Sequence, residues 1–373
     1  MTDLFLHYTC WRLLVLLATS NQLLEDNDTQ RSRKSVSTEV STQTNVISPV
    51  LYLFTVLVLN TGLFMIDHIH FQYNGVLLGL LLLCVELALR GRFVAMTLAF
   101  SSLVCSKHLF VYLAPPFGIF LLRNYCFSKS EWDLSEEPKR RSTGSRNSTV
   151  VSRTLYHSLL RILQLAVTAF VPVSLAFGPV IFQENGLNQL LQIFRRLFPF
   201  GRGLVHAYWA PNAWALYCAA DKGLALVAKK VFKVVFNASS SVSGLASTSG
   251  LTGDFQFLVL PAVPPLLSLV LVLVAQLPAW RRLWIDPHPR SLLPCLVYCS
   301  LCAYLLGYHV HEKAILISQV LVGLSALRSH RHFEIFVLLS VVGVYSLIPL
   351  LFPFYETPTK GRLLLTIIII ILY

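Results

Sequence analysis

A chain of 373 residues with 55% hydrophobic and only 13% charged side chains is too apolar for an ordinary soluble domain, which carries about a quarter charged residues. The mean hydropathy of +0.64 agrees. The formal net charge of +12 would suit a nucleic-acid binder, but the basic residues fall mainly in short loops between apolar runs, which is the pattern of membrane topology and not of a DNA-binding face. The expected fold is an all-α polytopic membrane protein with about nine or ten membrane segments and no nucleic-acid partner.

Leu4 to Ala18 is apolar but interrupted by His7 and Arg12, and no basic stretch precedes it. It reads as a partial membrane helix and not as a signal peptide. Residues 21–46 are polar and carry Arg31, Arg33 and Lys34, so 1–46 divides into that helix and a cytosolic loop. A transmembrane domain then occupies 47–373. Pro49 to Ile66 is its first span, and it ends at Asp67-His68-Ile69-His70-Phe71-Gln72-Tyr73-Asn74-Gly75. Gly75 to Leu89 returns to Arg90 and Arg92. Phe93 to Leu122 is too long for one span and fits two short ones hinged at Ser106-Lys107-His108.

Residues 123–157 form the most hydrophilic segment, expected as a cytosolic loop. Leu159 to Phe182 spans again. An amphipathic region, 183–254, follows and contains RRLFPFGRGLVHAYWAPN at 195–212. Phe255 to Leu277 spans to the basic turn of Arg281, Arg282 and Arg290. Leu292 to Leu306 leads to Tyr308-His309-Val310-His311-Glu312-Lys313, and Ala314 to Leu327 returns to Arg328, His330, Arg331 and His332. Phe333 to Phe352 spans, and Leu363 begins another run. Cys84, Cys105, Cys295, Cys299 and Cys302 lie in apolar runs, where a thiol packs as a small hydrophobe.

With the basic loops in the cytosol, the three polar motifs at 67–74, 195–212 and 308–313 share the opposite face. In a secretory-pathway membrane that face is lumenal. Of the sequons at Asn27, Asn147 and Asn237, only Asn237 should then carry glycan.

Polar side chains next to membrane-length apolar runs cost free energy unless they face water, protein or a ligand. In the first motif His68, His70, Gln72 and Asn74 alternate as on a strand, and the amides suit sugar hydroxyls. Asp67 is a weak candidate for a catalytic base and a better one for a helix cap. In the second motif Arg202 lies between two glycines, where backbone can approach a phosphate, and His206 accompanies it. Tyr208, Trp209 and Trp214 could floor a sugar or lipid; equally, these aromatics with Arg195 and Arg196 suit an interfacial helix. In the third motif His309, His311, Glu312 and Lys313 open a span, where a helix N-terminus and a lysine favour an anion. The pairs His68/His70 and His309/His311 could meet around a metal, but nothing in the spacing requires one, and neither metal nor cofactor is expected. A Walker loop, a Rossmann fingerprint and a G-x-S-x-G elbow are absent from the sequence.

IDHIHFQYNG (66–75), RRLFPFGRGLVHAYWAPN (195–212) and GYHVHEKAIL (307–316), with KHLFVYLAPPFGIFLLRNYC (107–126), resemble the dolichyl-phosphate-glucose-dependent alpha-1,3-glucosyltransferases of the endoplasmic reticulum. The His-Ala-Tyr-Trp-Ala-Pro-Asn form resembles the branch acting on the monoglucosylated lipid-linked oligosaccharide. The resemblance implies a GT-C fold and a lumenal active site. It also implies inverting glucose transfer from dolichyl phosphate glucose to a dolichyl-diphosphate-linked oligosaccharide. Arg202, His309 and Lys313 would then serve the phosphate, Gln72 and Asn74 the sugar or the scaffold, and His68, His70, His206, Trp209, His311 and Glu312 would line the substrates. The family's base is expected on an early lumenal loop that this sequence lacks, so the chain reads as a truncated or inactive form. Alternatives are a polytopic lipid or sugar transporter or scramblase, for which no internal repeat speaks, and a non-catalytic remnant.

Overall fold

A computed structural model describes residues 3–17, 51, 54, 57, 60–69, 72–127, 147–198, 203–205, 210–231, 257–348, 358 and 361. All regular elements among them are helical. Residues 3–17 form α1. Thr61–Phe64 is α2, which passes into a π-helical turn at Met65–Ile69. Asn74–Leu89 is α3 and Phe93–Ser106 is α4. A 3-10 stretch at His108–Leu113 enters α5 at Ala114–Leu121, followed by a π turn at Leu122–Cys126. Asn147–Ile181 is α6, Gly186–Leu197 α7, Ala213–Val231 α8, Pro265–Ile285 α9 and Pro289–Leu306 α10. A 3-10 turn at Glu312–Ala314 starts α11, Ile315–Ser325; another at Ala326–Arg328 precedes α12, His330–Leu347.

Four of the described stretches are long and apolar enough to cross a bilayer: His108–Cys126, Leu155–Ile181, Pro265–Ile285 and Pro289–Leu306. α3 and α4 are shorter apolar helices. The protein is a multi-pass, all-α membrane protein, as its composition requires. The long run from Phe93 is broken where the sequence places the hinge. α4 ends at Ser106, and Lys107 is extended, with φ −151° and ψ 111°. The sequence begins a span at Leu159, whereas α6 already starts at Asn147. Farther along this helix Arg161 Nη1 donates to the Tyr125 carbonyl at 2.8 Å, and its guanidinium stacks over the Tyr125 ring.

The chain forms two compact units. The unit of 80–194 and 277–296 joins α4 to α6, where Ser101 Oγ donates to the Ala169 carbonyl. Its core includes Phe117 and Phe120, both buried. In the same unit Arg123 Nε donates to the Trp284 carbonyl at 2.9 Å and Asn124 Nδ2 to the Pro287 carbonyl at 2.7 Å. These bonds hold the end of the α5 segment against the turn after α9.

The other unit comprises 1–79, 195–276 and 297–373 and contains all three polar motifs. α1 packs through Leu6, Cys10, Leu13 and Leu14, a stripe at helical spacing. Close glycine contacts fix the packing of the segment ending in α2. A Cβ on Gly323 of α11 would lie 2.5 Å from Leu57 Cδ2, and one on Gly62 would lie 3.1 Å from Leu316 Cδ2. From Leu57 to Gly62 the first segment advances while its α11 neighbours step back from Gly323 to Leu316. The two segments are therefore antiparallel, and the C-terminal end of α2 lies beside the N-terminal end of α11. α12 returns to the same end, because Gly62 also approaches Leu347 and Gly343 approaches Ile315.

Candidate active site

The first motif is helical and not strand-like at its start. Asp67 and His68 belong to the π turn of 65–69. The turn replaces the expected alternation because Asp67 folds back onto the next helix. Its Oδ1 accepts from the Asn74 backbone N–H at 3.0 Å and from Asn74 Nδ2 at 2.9 Å. Its Oδ2 accepts from the Gly75 N–H at 2.6 Å. A buried carboxylate thus satisfies the first amides of α3 and complements the helix dipole. Asn74 Nδ2 also donates to Gln72 Oε1 at 3.1 Å, so the two amides stand side by side as a pair. His68 is exposed, stacks on Phe64 with ring centroids 5.0 Å apart, and places Nε2 2.9 Å from Asp3 Oδ2. His70 lies outside the described residues.

Sequence reasoning missed Asp3. It stands at the start of α1, far from the motif along the chain, and only the packing of α1 reveals it. Asp221 was missed for the same reason. It sits in α8 at 2% exposure, and its carboxylate accepts the backbone N–H groups of Leu258, Val259 and Leu260 at 3.0, 2.9 and 2.8 Å. Its signal in the sequence is an acid within an otherwise apolar helix face, Trp214 to Ala225.

Of the second motif, 195–198, Gly203, Leu204, Val205 and 210–212 are described, with Arg195 and Arg196 in the last turn of α7; Arg202, His206, Tyr208 and Trp209 lie outside the described residues. Gly203 has φ +92°, a backbone conformation for which glycine is the natural residue. Leu204 and Val205 are buried with Trp214 and Cys218 in a small core that Tyr217, Phe257, Val263 and Tyr308 complete. Trp214 is therefore no open aromatic floor. It is 6% exposed and its indole N–H is shared between the carbonyls of Leu306 and Gly307. Asn212 Oδ1 caps α8 by accepting from the Ala215 N–H at 3.1 Å.

The third motif leaves the end of α10. The backbone N–H of His309 donates to the Leu204 carbonyl at 2.9 Å, and its Nδ1 lies 3.0 Å from the Gly203 carbonyl. The His311 ring stands nearly perpendicular to that of His309, with centroids 5.8 Å apart. Glu312 is fully buried, whereas Lys313 is half-buried at the entry to α11. Burial pushes the Tyr308 hydroxyl above its ordinary pKa, so it stays a neutral group at physiological pH.

The second and third motifs are thus joined directly. The first stands at the same end of the antiparallel helix packing that the third begins. Imidazoles, an ammonium and paired amides collect at one end of one unit, a composition suited to a sugar joined to phosphate. Among the described residues no three His, Cys, Asp or Glu side chains form a metal-binding group.

Residues 27–373 match the ALG6, ALG8 glycosyltransferase family. The chain is 42% identical over 318 residues to the mouse protein named dolichyl pyrophosphate Glc1Man9GlcNAc2 alpha-1,3-glucosyltransferase, which covers 85% of this chain and 56% of that protein. It is 39% identical over 326 residues to the Schizosaccharomyces pombe protein of the same name, covering 87% and 58%. The Arabidopsis thaliana protein of that name is 38% identical over 305 residues, covering 82% and 54%. The chain spans about half the length of the curated relatives it matches. With its helical, multi-pass architecture, the chain belongs to the ALG6, ALG8 glycosyltransferase family, whose members are membrane glycosyltransferases of GT-C fold.

Proposed function

We propose that the protein serves in the transfer of glucose from dolichyl phosphate glucose to monoglucosylated, dolichyl-diphosphate-linked oligosaccharide, forming an alpha-1,3 linkage on the lumenal side of the endoplasmic reticulum membrane. The observation that carries the reading is the gathering of three sequence-distant motifs at one end of one unit, with the second bonded to the third through His309. The names of its relatives supply the acceptor.

In an inverting transfer the acceptor hydroxyl oxygen attacks the anomeric carbon, the bond from that carbon to the phosphate oxygen breaks, and the lipid phosphate leaves with the electron pair. The hydroxyl proton passes to a base. Cations near the departing oxygen stabilise the charge that develops there. Lys313, His311 and, by sequence, Arg202 and His206 are the groups assigned to that role. His68, His70, Gln72, Asn74 and Trp209 are assigned to the sugars, and Glu312 to the support of the imidazole-rich turn. Asp67 is not assigned as the base, since both its oxygens are engaged by the N-terminus of α3. No cofactor is assigned.

A transporter or scramblase gains no support, because the polar groups gather at helix ends and not at mid-membrane. The test is direct. Native membranes carrying the protein are given sugar-labelled dolichyl phosphate glucose and monoglucosylated lipid-linked oligosaccharide. The expected product carries two glucoses, and its appearance depends on the protein. Label entering only unglucosylated oligosaccharide, or none at all, overturns the reading.

A further inference from the structure

We propose that His309 is a positioning residue, which holds the second motif in register as the Nδ1–H tautomer. This departs from the phosphate-ligand role that its sequence context suggests. Its consequence for turnover rests on the transferase reading; the clamp itself rests on geometry.

Two donors of one residue meet two consecutive carbonyls. The backbone N–H of His309 donates to Leu204 at 2.9 Å, while its ring Nδ1 lies 3.0 Å from the oxygen of Gly203. A carbonyl can only accept, so Nδ1 carries the hydrogen, and in the neutral ring Nε2 is the lone-pair pole. The neutral ring therefore offers no N–H at Nε2 for a phosphate oxygen.

The backbone is shaped for this contact. His309 has φ +52°; Asn185 is the other non-glycine residue among the described ones with a positive φ. A non-glycine side chain holds that conformation where its surroundings compensate the cost. Both flanks of His309 are fixed. On one side Leu306 and Gly307 accept the Trp214 indole N–H, and the Leu306 carbonyl also accepts from Ser268 Oγ at 2.5 Å. On the other side Val310 is buried. Opposite, Gly203 at φ +92° turns its carbonyl toward the ring, and Leu204 and Val205 are buried beside Tyr308. A fixed turn thus presents two aligned donors to a loop. Arg202, the candidate phosphate ligand, is the residue immediately before that loop's anchored glycine.

Three variants separate the features. His309→Asn keeps a side-chain N–H of short reach and accepts the left-handed backbone. His309→Gly keeps the backbone freedom and loses the donor. His309→Gln carries its donor farther out, toward the position of Nε2. The first measurement is tryptic cleavage of the Arg202–Gly203 bond in the detergent-solubilised full chain, referred to cleavage after Arg282 as a measure of general unfolding. His309→Asn should be cut at the wild-type rate. His309→Gly and His309→Gln should be cut about fivefold faster at that bond alone, the population shift expected for one lost hydrogen bond. Equal rates in all four proteins, or acceleration at both bonds together, overturn the clamp.

The second measurement is glucose transfer. His309→Asn should keep the wild-type kcat and KM, and His309→Gly should lose kcat/KM for the donor. A protected His309→Asn protein without transfer, beside an active wild type, would assign chemistry to Nε2 and overturn the positioning role. An inactive wild type refutes the transferase reading, while the proteolysis still decides the clamp.

Discussion

The carboxylate of Asp67 and the backbone N–H of Gly75 are 2.6 Å apart, the shortest of three bonds by which this acid engages the start of α3. This is a capping arrangement with the acid supplied from the preceding turn. Asp67→Asn should therefore lower stability by about 1–2 kcal/mol, the usual cost of losing a charged cap, and leave the pH profile of transfer unchanged. A general base removed from that position would instead cost a factor of about 10² to 10⁴ in rate. Thermal unfolding in detergent together with a pH–rate profile separates the two. A loss of rate without loss of stability would restore Asp67 to the chemistry.

How much of this was legible in the sequence follows from what each signal depends on. Helix content, the break at Lys107 and the three polar motifs were all readable, because apolar run length and local polarity are local properties. The part played by Asp67 was ambiguous at sequence level, since a cap and a base both call for an acid beside a helix. Asp3 beside His68, and Asp221 beneath the amides of 258–260, were invisible because they are partnerships between elements remote in the chain. The strand-like spacing of His68, His70, Gln72 and Asn74 misled for a related reason. Alternation was read from residue types alone, whereas the turn of 65–69 is closed by hydrogen bonds to residues that follow it.

Trp214 contributes shape and one donor to the junction of the second and third motifs. Trp214→Phe removes the donor and keeps most of the apolar body. It leaves the Gly307 carbonyl without its indole partner, while Leu306 keeps the Ser268 hydroxyl. A destabilisation of about 1–2 kcal/mol is expected, and Trp214→Ala should cost about 3–5 kcal/mol, since it also opens a cavity. Thermal melts of the purified variants check the order. A Trp214→Phe protein as stable as the wild type would show that the hydrogen bond carries nothing, and equal losses in the two variants would show that the apolar body adds nothing to it.

Gly307 ends α10 in a space that excludes a side chain. A Cβ there would collide with the Ala303 carbonyl oxygen and lie 2.7 Å from Val310 Cγ2. The first neighbour is backbone and cannot swing away. Gly307→Ala should shift the turn that carries His309 and cost on the order of 1–3 kcal/mol. Gly118→Ala is the control, because a Cβ at Gly118 meets nothing within 4 Å. Similar melting temperatures for the two variants would contradict the packing described for this turn.

Glycan mapping tests the proposed membrane orientation. With the basic loops in the cytosol, Asn237 should be modified in secretory-pathway membranes and Asn147 should not. The measurement is the mobility shift on deglycosylation of the wild type and of Asn237→Gln and Asn147→Gln. A shift that survives Asn237→Gln but disappears in Asn147→Gln would place the wrong loops in the lumen.

The turn between α9 and α10 supplies a pH dependence whose sign is fixed by geometry. Ser291 Oγ donates to Asp286 Oδ2 at 2.6 Å. This hydroxyl is the foremost cause that holds the Asp286 carboxyl below its ordinary pKa, and the amide at His288 and the charges of Arg282 and His288 add to it. A carboxyl depressed in the folded state binds fewer protons there than in the unfolded chain. Its contribution to stability is therefore complete above the unfolded pKa, about 3.9, and is lost as pH falls through the lower folded value. Ser291→Ala removes the largest cause. The variant should melt below the wild type at neutral pH, and the gap should narrow on acidification below about pH 4 as the carboxyl takes up its proton in both proteins. Asp286→Asn should remove this contribution from the same part of the wild-type profile, because the side chain at 286 then no longer titrates. A gap between wild type and Ser291→Ala that stays constant from neutral pH down to the acid limit of folding would mean that the hydroxyl acts through packing alone and that its bond to the carboxylate contributes no proton linkage.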